Sequence, residues 1–195
     1  MNTPSPDRYV TKSKSNFHLL KSLGVILASL AVAAVGTVNA EDAVAAPTDA
    51  EIAMIVVVAD TVDVNYGKLA VEKTSNPAVK EFAETMIRDH TAVNDKAIAL
   101  AKKLGVTPEA SAISKSLKAN GKKELKKLKT LTGADFDKAY VDNEVSYHEA
   151  VISMLDKTLI PNTRNAELKS LLESGRPIFV AHLGHAKKLQ ASLNK

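Results

Sequence analysis

The sequence predicts an all-α domain: a four-helix bundle with one short extra crossover helix. Three observations carry that expectation. Apolar residues recur at helical spacing through four long segments. Helix-starting and helix-stopping residues separate those segments. The β-branched run Ile55–Val58 is the one stretch that also reads as a strand, and it sits inside a longer helical period.

The first 40 residues stand apart from that domain. Residues 1–21 are polar and carry Arg8, Lys12, Lys14 and Lys21. An apolar stretch from Leu23 to Val38 follows, closing on the small-x-small pattern Val38-Asn39-Ala40. This order describes a signal peptide over residues 1–40, cleaved after Ala40. The apolar stretch is short for a membrane span, so an uncleaved anchor is the second reading. The chain has no cysteine, which excludes a lipid-anchored form, a disulfide framework, a thiolate metal site and a thiol nucleophile. The expected destination is the periplasm, the outer-membrane surface or the exterior. Residues 41–48 then form a small-residue linker, and residues 49–193 the bundle domain.

The formal charge of +4 misleads about partners. Residues 1–40 hold four of the 26 basic residues and one of the 22 acidic ones, so the remainder is nearly neutral. Near-neutrality, export and an aromatic content of 4% all argue against nucleic acid.

Thr48-Asp49-Ala50-Glu51 has the form of a capping box and starts the first helix, which runs to about Thr74. Its apolar face is Ile52, Val56, Ala59, Tyr66 and Ala70, with Asp63 in the same row. Asn76 as N-cap and Pro77 in the first turn begin the second helix, which Gly105 stops. Its stripe runs Val79, Phe82, Met86, His90, Val93, Ala97, Leu100 and Leu104, close to a heptad, so it should meet another helix at a shallow angle. A weaker third helix, roughly Ile113 to Leu131, has Gly121 in its middle. It also bears a run of lysines: Lys122, Lys123, Lys126, Lys127 and Lys129. These read as the solvated face of a crossover helix; the functional alternative is a patch for an anionic envelope component, sensitive to salt. Gly133 breaks the chain, and Ala134 to about Leu159 forms the fourth helix, with Phe136, Tyr140, Glu144, Tyr147, His148, Val151 and Leu155 on its face; Pro161 ends it. The fifth runs from about Arg164 to Leu193, and Pro177 inside it should kink it.

Polar side chains interrupt these apolar stripes. Asp63 lies 12 residues before the first turn and His90 14 after it, a mismatch of about 3 Å along the axis, so the two can face each other. Glu144 and His182 share a level across the last turn within about 5 Å. His148 is one helical turn from Glu144, and Asp137 and Tyr140 extend that row. Asp89 points about 100° away from His90 and should bond a neighbouring helix or loop. His185, one turn past His182, reads as a partly exposed surface residue. Converging imidazoles and carboxylates suit iron, manganese or zinc, with Asp63, His90, Glu144, His148 and His182 as ligands. They equally suit a structural lock in which imidazolium and carboxylate fix helix register. No glycine-rich phosphate loop, no serine elbow and no substrate pocket announces itself, so an enzyme is not the expectation. Buried His with Asp or Glu could do acid–base work.

At these residues a resemblance emerges. Phe82-Ala83-Glu84-Thr85-Met86-Ile87-Arg88-Asp89-His90 resembles the FA-x-x-M-x-x-DH motif of a secreted bacterial family, domain-of-unknown-function family 4142. The likeness continues through Lys68-Leu69-Ala70, Phe136-Asp137-Lys138-Ala139-Tyr140, His148-Glu149, Pro177 and His182, covering about Asp49 to Leu189. It implies a ferritin-like helical bundle of the periplasm or outer membrane with no established activity. It also implies motif residues Asp89, His90, Asp137, Tyr140, His148 and His182. Family members commonly carry Glu in the first helix where this chain has Asp63. Ferritin di-iron sites use Glu-x-x-His, whereas Ile87, Val145 and Phe179 stand three residues before His90, His148 and His182. That departure argues against a ferritin-type ferroxidase centre. The leading expectation is a non-enzymatic envelope protein with a structural polar network; the alternative is a metal-binding or metal-dependent redox bundle built from the same residues.

Overall fold

Four polar residues start three of the long helices and the crossover helix by satisfying backbone amides that have no partner inside the helix. The computed structural model describes residues 46–195. The Thr48 side chain accepts from the Glu51 amide while Glu51 reaches back to the Thr48 amide, starting α1 (Asp49–Lys73). Asn76 caps α2 (Pro77–Lys103), Ser111 caps α3 (Ala112–Lys129), and Asn165 caps α6 (Ala166–Leu193). α4 (Gly133–Met154) starts without a side-chain cap. The expected signal peptide, residues 1–40, lies outside the described residues, as does the linker before residue 46. No helix among the described residues is long and apolar enough to cross a membrane.

One element departs from the expected regularity. α4 does not run unbroken to Leu159; it passes into a π-helical turn (Leu155–Leu159) and the short α5 (Ile160–Asn162). The Ile160 amide donates to Leu155 O, five residues back. Pro161 brings no amide to continue an α-helical ladder, and the wider turn accommodates it. Gly105, at φ +65°, stops α2 in the left-handed region as expected. Pro177 lies within a continuous α6.

α1 packs on α2, α3 and α4, while α6 packs on α2 and α4. The core shows the directions. One apolar cluster gathers the end of α1 (Tyr66, Ala70), the start of α2 (Val79, Phe82), the start of α4 (Phe136, Tyr140) and the end of α6 (Ala186, Leu189). The other gathers the start of α1 (Ile52, Ile55), the end of α2 (Val93, Ala97), the end of α4 (Val151, Leu155) and the start of α6 (Leu168, Leu172). α1 and α6 therefore run one way and α2 and α4 the other, the ferritin-like connectivity of a bundle with one long crossover. α3 is that crossover.

Close backbone approach sets where α3 lies. A side chain at Gly121 would put its Cβ 2.8 Å from both methyls of Val62 on α1. Only Ser114, Gly121 and Leu128 of α3 are buried, each seven residues from the next, a narrow seam against α1. Gly67 does the same between α1 and α2, where a Cβ would lie 2.9 Å from Ile87 Cγ1. With three neighbours, α1 is buried around most of its circumference. That explains why its β-branched run is helical: every face needs apolar side chains. The five lysines from Lys122 to Lys129 are all exposed, and Lys127 pairs with Glu124 at 2.9 Å.

Gly121→Ala should lower the urea midpoint. The clash with stiff Val62 costs about 1–3 kcal/mol, more than the gain of about 1 kcal/mol in helix propensity. Adding Val62→Ala should show favourable coupling in a double-mutant cycle. Gly175, whose Cβ would meet nothing within 4 Å, should instead gain roughly 0.5–1 kcal/mol on replacement by Ala. Equal responses at the two glycines would refute the packing argument.

Candidate metal centre

A belt of ionisable side chains separates the two apolar halves of the core. α1 contributes Asp60 and Asp63, α2 His90, α4 Glu144 and His148, and α6 His182, and all six are buried. Asp60 and Asp63 share a face because residues three apart on a helix are neighbours, and the same holds for Glu144 and His148 four apart. The three imidazoles form a nearly equilateral triangle, with ring centroids 5.5 Å (His90–His148), 5.2 Å (His90–His182) and 5.6 Å (His148–His182) apart. Phe179 walls one side, 5.0 Å from the His90 ring and 6.1 Å from that of His148.

Each imidazole has one nitrogen tied from outside. His90 Nδ1–H donates to Asp60 Oδ1 at 2.8 Å. His148 Nδ1–H donates to the Glu144 carbonyl at 2.9 Å. His182 Nε2–H donates to Asp89 Oδ2 at 3.0 Å, and Arg88 holds the other oxygen of Asp89 at 2.8 Å. The remaining nitrogens are His90 Nε2, His148 Nε2 and His182 Nδ1. His90 Nε2 and His148 Nε2 are 3.4 Å apart, and Asp63 Oδ2 lies 3.6 and 3.8 Å from them. One ligand atom from each of His90, His148 and His182 falls within a 4.8 Å cluster, as does one from each of Asp63, Glu144 and His148.

Several buried polar atoms of this belt have no hydrogen-bond partner. They include both oxygens of Asp63, both of Glu144, Asp60 Oδ2 and His182 Nδ1. Each such atom carries the cost of leaving water uncompensated, roughly 1–3 kcal/mol and more for a charged group. The outer contacts of the imidazoles are satisfied, whereas on the inner side His90 Nε2 and His148 Nε2 have only each other and His182 Nδ1 has no partner. A divalent transition ion fits this donor set, since neutral imidazole nitrogens and carboxylate oxygens are its common ligands, and the outer acceptors set each ring's tautomer.

Burial and charge divide the protons unevenly. Burial alone would lower His90, but the carboxylates of Asp63, Asp60 and Asp89 outweigh it and raise the ring above its ordinary value. Burial lowers His148, reinforced by His90 and only partly offset by Asp63. Burial also brings His182 down to about 4, against the opposing hydrogen bond to Asp89. Burial first, then the Asp63 carboxylate, hold Glu144 well above the carboxylate range, so it keeps its proton. The two facing Nε2 atoms can pair only when one of them carries a proton.

Asp63, His90, Glu144, His148 and His182 all reach the belt, and the facing of Asp63 and His90 across the first helix pair is as the turn spacing implies. Asp89 bonds the neighbouring helix through His182. His185 is exposed, its ring edge-on to Phe82 at 5.1 Å. Asp137 and Tyr140 are buried towards the start of α4, with Asp137 Oδ1 and the Tyr140 hydroxyl unpartnered, and neither joins the three-ligand clusters. Asp60 was missed by the sequence reading. Its signal was its position, one turn before Asp63 and four residues after Val56.

The chain belongs to the family described as "Domain of unknown function (DUF4142)", whose model matches residues 34–189. No curated protein and no solved structure matches it.

The His182 shift has a definite sign. Between pH about 6.5, its ordinary value, and about 4, the unfolded chain binds a proton that the folded ring does not. Its contribution to stability is complete above that window and is lost as pH falls through it. Between pH 6.5 and 4 the urea midpoint of chelator-treated protein should fall relative to that of His182→Gln. Parallel slopes for the two proteins would contradict the assignment.

Proposed function

We propose that this bundle binds a divalent transition-metal ion of the iron, manganese or zinc type between its helices. One observation carries the reading: three imidazoles, each tied from outside through one nitrogen, bring ligand atoms within 4.8 Å of one another, and Asp63, whose buried oxygens have no partner, lies 3.6 and 3.8 Å from the free nitrogens of His90 and His148. His90, His148 and His182 would supply nitrogen ligands, and Asp63 and Glu144 oxygen ligands. Asp60 and Asp89 act behind them, holding His90 and His182 in the ligating tautomer. A bound ion would supply Lewis acidity or, for iron or manganese, one-electron redox chemistry. Binding displaces the protons on His90 and Glu144, so affinity rises with pH.

The competing reading is a purely structural network, favoured by the short His90–Asp60 contact of 2.8 Å. It accounts for the outer hydrogen bonds and, with a proton on Glu144 facing the Asp63 carboxylate, for one inner contact, but leaves His182 Nδ1 unsatisfied. Export is part of the proposal too, supported by the basic, apolar and small-x-small order of residues 1–40. The mature chain should then begin at Glu41 when its mass is measured after secretion.

Adding Zn(II), Mn(II) or Fe(II) to chelator-treated protein should raise the melting temperature with ion concentration, by about 2.7 kcal/mol of stability at a hundredfold excess over Kd. Mg(II) and Ca(II), which prefer all-oxygen ligands, should have little effect. The combined His90→Ala and His148→Ala variant should lose the response. A melting temperature that no transition ion moves would leave only the structural network.

A further inference from the structure

We infer that a second, non-polar site lies beside the belt and takes one small gas molecule of the size of dioxygen or xenon. The cavity has a volume of about 30 Å³ and lies between α1, α2, the end of α4 and α6. Aliphatic side chains such as Ile55, Val93, Leu155 and Leu172 line it, together with Phe179, and Asp60 is its only polar side chain.

Two local features keep this space open. The π-helical turn displaces the regular end of α4, and Leu155 and Leu159 from that turn line the cavity. Gly175 on α6 also lines it, and a Cβ there would meet nothing within 4 Å. The volume exceeds the roughly 10–15 Å³ that one water needs on the same measure, but a buried water also takes two to four polar partners. Asp60 Oδ1 is engaged by His90, so at most one acceptor, Asp60 Oδ2, is free to meet a water. An apolar cavity that offers water so few polar partners favours a small non-polar occupant over water.

The cavity adjoins the imidazole belt directly. Asp60 lines the cavity and accepts from His90, and Phe179 lines it while packing on the rings of His90 and His148. A molecule lodged there is separated from the imidazoles by a single side chain. The site goes beyond the metal reading and does not depend on it, because its walls are present without an ion.

Xenon pressure applied to the full chain, chelator-treated and zinc-loaded, tests the inference by methyl NMR. Saturable shifts are expected at Ile55, Val93 and Leu172 in both samples, with Val79 and Leu128 in the other half of the core unmoved. Dissolved dioxygen should broaden the same three residues by its paramagnetism. Gly175→Leu, which fills the cavity, should abolish the xenon shifts. Shifts that are absent, that appear equally in both halves of the core, or that persist in the leucine variant overturn the inference. Since the chelator-treated sample alone decides the question, xenon binding and zinc stabilisation can fail separately.

Discussion

The cost of removing carboxylates and imidazoles from water governs this structure. Six ionisable side chains from four helices occupy one buried layer with apolar clusters above and below it. Isolated, each would be a liability in so poor a solvent. Together they share protons and hydrogen bonds: Asp60 holds His90, the Glu144 carbonyl holds His148, and Asp89 holds His182. What they do not share is the inner face, where the Asp63 and Glu144 oxygens lack partners. That inner face is the ground on which the metal-binding proposal rests.

Helix packing delivers that layer. Gly67 lets α1 and α2 approach, and Gly121 lets the crossover α3 settle on α1. With α1 enclosed by α2, α3 and α4, Asp60 and Asp63 have no route to solvent and must be answered from within. The short turn before α2 then places His90 opposite them. Antiparallel α4 and α6 bring Glu144, His148 and His182 to the same height. The irregular end of α4 leaves its mark one layer away, in the apolar space bounded by Leu155, Leu159 and Gly175.

Much of this was legible in the chain. The caps at Thr48 and Asn76 and the left-handed stop at Gly105 are local chemistry, set by side chains within a few residues of the backbone they satisfy. Asp63 facing His90 was legible because a tight turn converts sequence distance into depth. Asp60 was not, because α1 is apolar on nearly every side and no single stripe marks its inward face. Gly121 looked like a weak point in α3, since its value lies in Val62, a residue far away in sequence. The π turn was equally silent: Pro161 signals an end, but not how the preceding turn yields to it.

The sequence by itself determined the helices, their order and the residue types available for a site. These follow from periodicity, capping and turn chemistry, which act over a few residues. Only the tertiary structure decided that both helix pairs align at one depth, that three imidazoles meet in a triangle, and that Asp60 and Asp89 stand behind them. Relative height and rotation of helices not joined by a tight turn depend on how side chains from distant segments interlock, and that information is not local to any stretch of chain.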